Sequence, residues 1–267
     1  MYHHSMRFVA LAGLVSLSLV AQDFAPLEQS AREELAKFNV PGAAMAIVKG
    51  DRVVFSKGFG TANVETGEAV RPEMLFRLGS TTKMFTATAL VELSLEGKID
   101  LDAPIGKYLA WLPPKLSQIT ASQLLSHTAG IHDEAPMYGS HDDAALGNGI
   151  RAWTDGWLFT APGKIFSYAN PGYWMAGYLV EALSGKTYAD AMEERVFRAC
   201  AMARTTLRPT TAMTWPLAQG HDAVGGKIAV ARPAADNAAS WPAGSIFSNG
   251  VRSSRTRRIW RASSPRF

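Results

Sequence analysis

Apolar residues recur at Leu27, Ala31, Leu35 and Phe38 with charged and polar residues between them. This spacing is close to the helical period and predicts an amphipathic first helix. The period then changes. "GAAMAIVKGDRVVFSKGFG" holds two short β-like runs around Lys49-Gly50-Asp51-Arg52, which predicts a hairpin at one edge of a sheet. From Ser80 to about Glu96 the pattern is helical again, with Gly97 as the C-terminal stop. Met84, Phe85, Ala87, Leu90, Val91, Leu93 and Leu95 leave this helix no wide polar face, which predicts burial on all sides.

Further on, "LSQITASQLLSHTAGI" predicts a helix ending near Gly130, followed over 131–163 by a polar, glycine-containing loop region with room for short helices. "NPGYWMAGYLVEALSGKTYADAMEERVF" predicts two helices broken at Ser184-Gly185, and after Thr205 strand and turn composition continues through Phe247. No internal repeat or heptad pattern interrupts this order. Helix and strands, then a helical block, then strands, imply one sheet built from both ends of the chain with a helical lobe inserted between them.

Composition changes the picture only at the two ends. The 267 residues are 47% hydrophobic and 19% charged, an ordinary globular balance. The formal charge of +4 is concentrated at the C-terminus, because residues 251–267 hold six arginines and no acidic residue. The remaining 21 basic and 23 acidic residues make the body slightly acidic. At the other end, Arg7 precedes an apolar run from Phe8 to Ala21, short for a membrane span and closing on Leu19-Val20-Ala21. A signal peptide over 1–21 and an exported protein, periplasmic or secreted, are expected, with an uncleaved anchor as the alternative. The single cysteine, Cys200, excludes a disulfide scaffold.

The chemistry begins at "FRLGSTTKMFT". Ser80 and Lys83 are three apart at a helix start, so they share a face, and the free N–H groups of that helix end favour developing negative charge on Ser80. A serine hydroxyl becomes a nucleophile when a neighbour removes its proton, and a lysine can do this or stabilise the alkoxide. A helix cap and a surface charge fit the same two residues, and about one S-x-x-K is expected by chance in such a composition. Further support comes from "GKIFSYANPGYWMAGY", where Tyr168 and Asn170 are two apart and point to one side of an extended segment. A phenol can shuttle a proton to a leaving group, and an amide can orient lysine and substrate.

These stretches, with "EGKIDLDAPIGKYL", "LLSHTAGI", "FSYANPGYWMAGYLVEALSGKTY" and "PAGSIFS" in the same order, resemble the serine β-lactamase and penicillin-binding family. The resemblance is to the branch holding class C β-lactamases, D-alanyl-D-alanine carboxypeptidases, D-aminopeptidases and family VIII carboxylesterases. It covers most of residues 27–249. It implies an α+β, transpeptidase-like fold with an antiparallel sheet flanked by helices: a sheet lobe over about 22–78 and 205–250, and a helical lobe over about 79–204. It also implies Ser80 as acylated nucleophile, Lys83 as the lysine of S-x-x-K, and Tyr168 and Asn170 as the Y-x-N pair, with Tyr168 the favoured general base. The implied substrate is a small-molecule carboxylester, β-lactam or D-amino-acid peptide, and no cofactor is implied. A ligand-binding protein of the same fold without turnover is the alternative.

Two departures from the family stand out. After "WPAGSIFSN" the text turns into "GVRSSRTRRIWRASSPRF", and the family's K-T-G or H-x-G triplet, carrier of a second oxyanion donor, is missing. A frameshift that removes the final strands and impairs the activity is expected, in preference to a true basic tail or a basic arm for nucleic acid or anionic lipid. The second is "VFRACAMART", where the family shows Pro-Leu-Gly-Met before Thr; Cys200 lies inside it and is a poor nucleophile candidate. His127, His132 and His141 with Asp133, Asp142 and Asp143 are the rival set for a metal site. Their spacing lacks an H-E-x-x-H pattern, and His127 is expected to brace a helix end.

Overall fold

The computed structural model describes residues 23–133, 142–231 and 246–248. The expected signal peptide, the Arg-rich tail and His141 lie outside them. The amphipathic first helix is α1 (Ala25–Lys37), and the expected hairpin is β1 (Gly42–Lys49) and β2 (Arg52–Asn63), paired antiparallel with Lys49 opposite Arg52. β2 also pairs antiparallel with β3 (Glu68–Ala69), and Val70 just after it runs close to Gly58: a Cβ there would sit 2.1 Å from the Val70 carbonyl oxygen.

The fold class read from the sequence holds: helices are combined with antiparallel sheets. The single sheet does not, among the described residues, which form three sheets ordered β1-β2-β3, β4-β8-β5 and β6-β7. The second does draw strands from both ends of the chain, pairing β4 (Phe76–Arg77) and β5 (Thr205–Thr206) with β8 (Phe247–Ser248). Each of those strands is two residues long, too short to extend the ladder. The hairpin of β6 (His221–Val224) and β7 (Lys227–Val230) stands as a separate pair.

The helix expected from Ser80 begins as a 3₁₀ turn over Gly79–Thr81 and becomes α2 at Thr82–Leu95. It ends as expected: Gly97 at φ 73° lets its N–H reach Ser94 O while Lys98 N–H reaches Leu93 O, satisfying two terminal carbonyls. Burial on all sides is corrected. Thr82, Lys83, Thr86, Ala89, Leu90 and Leu93 form the buried stripe, whereas Met84, Val91 and Leu95 are exposed. Two threonines and a lysine on the inner face hide the helix's one-sidedness from a hydrophobicity count.

The helix predicted to end near Gly130 is also shorter. α3 (Ala121–Leu125) starts with a reciprocal Thr120–Gln123 capping box and stops at Ser126, because His127 adopts φ 59° and Thr128 N–H turns back to Gln123 O. The predicted break at Ser184-Gly185 is present. α5 (Asn170–Ser184) ends on Gly185 at φ 68°, and Thr187 caps a second helix at Tyr188–Met192 by accepting the Asp190 N–H. A short helix, α4 (Ala145–Arg151), lies in the loop region whose sequence allowed short helices. α2, α3, α5 and this short helix pack around one large core that includes Leu90, Leu93, Leu124, Leu146, Trp174 and Leu179. A small separate cluster, Ala62, Val70, Met74 and Ala218, lies under β2.

Candidate active site

The beginnings of α2 and α5 bring the four sequence-predicted side chains together. Lys83 Nζ donates to Ser80 Oγ at 3.1 Å and to Asn170 Oδ1 at 2.7 Å. Tyr168 Oη donates to Ser80 Oγ at 2.6 Å. Ser80 thus faces both the ammonium and the phenol. Residues 246–248 steady this helix start, since Leu78 N–H donates to Ile246 O and Ile246 N–H donates to Thr82 Oγ1.

Lys83 is buried, and burying a cation requires compensation. Besides its hydrogen bonds to Ser80 and Asn170, its ammonium lies 4.8 Å from the Tyr168 ring centroid and 5.7 Å from that of Tyr173, where the π faces attract it. Tyr173 is held by its own hydrogen bond to Leu125 O. Burial alone would push the Tyr168 phenol upward, but hydrogen bonds with Lys83 and Ser80 and the nearby ammonium outweigh it, leaving the phenol below its ordinary value. A phenol with that bias, touching a serine hydroxyl, is equipped for proton transfer.

His127 and Asp133, considered in the sequence only as a brace and as rival metal ligands, belong to this site. The His127 ring packs at 4.3 Å from that of Tyr168 and 5.2 Å from that of Tyr173, and its Nδ1 accepts the Ala169 N–H at 3.2 Å. Burial, and then the Lys83 charge, hold the imidazole below its ordinary pKa, favouring the neutral ring that can accept this bond. Asp133 Oδ1 accepts the Asn170 N–H at 2.7 Å. Of the described members of the rival set, His132 packs against the Phe159 ring at 5.0 Å, and Asp143 pairs with Arg208. Among the described residues no group of three or more His, Cys, Asp or Glu side chains gathers as a metal site. Neither Tyr173 nor the tie from Asp133 carries a local motif. The one sequence signal was a helix opening on Asn170-Pro171 with no acidic residue in its first turn.

The fold matches a known class of proteins. The Beta-lactamase family matches residues 27–252, and the chain belongs to that family. Penicillin-binding protein 4 of Amycolatopsis lactamdurans is 30% identical over 188 residues, 68% of this chain and 49% of that protein. Among solved structures, the octameric penicillin-binding protein homologue from Pyrococcus abyssi is 27% identical with a TM-score of 0.71, over 85% of this chain and 54% of that one. D-alanine carboxypeptidase AmpC from Burkholderia cenocepacia is 27% identical with a TM-score of 0.66, over 85% and 62%. The chain therefore spans about half the length of the curated relative, at 49%.

Proposed function

We propose that this chain is a serine hydrolase acting through an acyl-enzyme on Ser80, with a carboxylester or β-lactam as substrate. The observation that carries the reading is the convergence of Tyr168 Oη at 2.6 Å and Lys83 Nζ at 3.1 Å on Ser80 Oγ. Tyr168, in its ionised form, takes the Ser80 proton as Oγ forms a bond to the substrate carbonyl carbon. The electron pair displaced from the carbonyl rests on its oxygen, facing the Ser80 N–H at the opening of α2. Collapse of the intermediate breaks the bond to the leaving oxygen or nitrogen, which receives the proton from Tyr168. Water then repeats the sequence on the acyl-enzyme and regenerates Ser80. Lys83, fixed by Asn170, holds positive charge beside Ser80 and Tyr168 throughout. Export to the periplasm or medium is part of the proposal, supported by the Phe8–Ala21 run.

The test is peptide mapping after reaction with a fluorophosphonate, together with turnover of p-nitrophenyl esters and nitrocefin. An adduct on Ser80 and steady turnover are expected. A burst without turnover would favour a penicillin- or D-amino-acid-peptide-binding protein, and an adduct on Ser126 would sink the assignment.

A further inference from the structure

The opening of α5 lacks the usual means of satisfying its free N–H groups. Its N-cap, Ala169, is extended at φ −146° and ψ 126° and has no side-chain oxygen, Pro171 has no N–H, and the first turn holds no acidic residue. A helix end of this kind frays unless something outside it supplies an acceptor and a negative charge. Asp133, 37 residues earlier, supplies both through its 2.7 Å bond from the Asn170 N–H. The same Asn170 presents Oδ1 to Lys83 Nζ at 2.7 Å, so its backbone is tied to a carboxylate and its side chain to the ammonium.

The tie is part of a longer bracket. Ser167 N–H donates to His127 O at 2.8 Å, Ala169 N–H to His127 Nδ1 at 3.2 Å, and Asn170 N–H to Asp133 Oδ1. Three donors flanking Tyr168 are thus held by one short segment, 127–133, which runs beside 157–170 through His132 N–H to Trp157 O and Phe159 N–H to Gly130 O. We propose that Asp133 is a positioning residue for acylation, capping α5 from outside so that Asn170 holds Lys83, and Tyr168 stays in line with Ser80; this deepens the serine-hydrolase reading and rests on it.

Asp133 also has an electrostatic effect that separates it from a mere structural brace. The charged and titratable groups facing Tyr168 are Lys83 from α2, His127 and Asp133 from the 127–133 segment, and Tyr173 from α5. The Asp133 carboxylate is the negative charge among them, and it opposes the downward pull of Lys83 on the phenol. Removing that charge while keeping an acceptor must lower the pH at which Tyr168 ionises.

The experiment compares wild type, Asp133→Ala and Asp133→Asn. Two readouts are needed: the rate of fluorophosphonate labelling of Ser80 against pH, and an ultraviolet titration of Tyr168 taken as the difference from the Tyr168→Phe variant. Asp133→Ala is expected to label about 10- to 100-fold more slowly, the usual cost of a misplaced reacting group. Asp133→Asn is expected to recover most of that rate, with the rising limb of its pH profile and the Tyr168 titration midpoint moved to lower pH. Wild-type labelling by Asp133→Ala, or an unmoved Tyr168 midpoint in Asp133→Asn, overturns the inference. If Asp133→Ala fails to fold, Asp133→Asn decides alone. Absence of label on wild-type Ser80 refutes the serine-hydrolase reading, whereas the titration still judges the link between Asp133 and Tyr168.

Discussion

The layer formed by α1, β1 and β2 and the helical block from α2 to α5 have similarly regular hydrophobic patterns but differ in what they bury. Helix α5 is buried continuously from Pro171 to Val180, and α2 contributes Leu90 and Leu93 to the same core. In contrast, α1 has no buried residue, β1 has none, and Val48, Val53 and Val54 are exposed among the described residues. Contacts at the edge of the layer hold α1 to β2: the Phe24 and Phe55 rings lie 4.8 Å apart, Arg32 sits over Phe59, and Lys57 pairs with Glu28. Period therefore reveals which face of an element is apolar, but not what covers it. All four predicted site side chains stand at the ends of α2 and α5, on the well-packed side of this contrast.

The largest expected effect tests whether chemistry and packing are separable there. Tyr168 is 45% exposed, yet its hydroxyl is the group closest to Ser80 Oγ in hydrogen-bonding distance. Tyr168→Phe is expected to slow acylation by about two to four powers of ten, the typical worth of a general acid or base, with little change in the melting temperature. Pre-steady-state labelling and thermal unfolding of the same preparation check both halves. A wild-type acylation rate would make Tyr168 a packing residue and erase the distinction between site and core.

The second prediction addresses the two regions directly. Leu90 is fully buried, and Leu90→Ala is expected to cost about 2–5 kcal/mol through lost transfer energy and a residual cavity. Val54 is 38% exposed in β2, and Val54→Ala is expected to cost about 1 kcal/mol or less, because little apolar area leaves the interior. Denaturant unfolding of both variants measures the contrast. Equal losses would mean that the N-terminal layer is as firmly packed as the helical block.

Much of this arrangement was legible before the structure because it depends on local rules. Ser80 and Lys83 share a face by helical spacing, Gly97 and Gly185 end helices because they reach positive φ, and Tyr168 and Asn170 align across an extended Ala169. The failures are tertiary. The inner stripe of α2 begins Thr82-Lys83 and includes Thr86, whose hydroxyl meets Tyr188 at 2.8 Å, so polar residues occupy positions that a hydrophobicity pattern assigns to solvent. Helix α3 stops early because His127 takes a left-handed conformation whose value lies in its distant bond from Ala169. Asp133 lay in view as a metal-ligand candidate. Its tie to Asn170 spans 37 residues and has no local signature.

The smallest effect concerns how helices end in the two regions. At the end of α1, Asn39 takes φ 52°, with Val40 N–H returning to Leu35 O; asparagine tolerates that conformation. The helical block repeats the turn at Ala201, φ 55°, with Met202 N–H returning to Phe197 O. Here the residue is alanine. A left-handed conformation costs a residue with a Cβ about 1–2 kcal/mol. The Ala201 methyl is buried and returns about 0.8 kcal/mol of that. Conformational relief outweighs the lost methyl, so Ala201→Gly is expected to raise stability by about 0.5 kcal/mol, read as a higher denaturation midpoint at unchanged m-value. A lower midpoint would mean that the methyl's packing against the helical block outweighs backbone strain, extending that block's dense packing to its outermost turn.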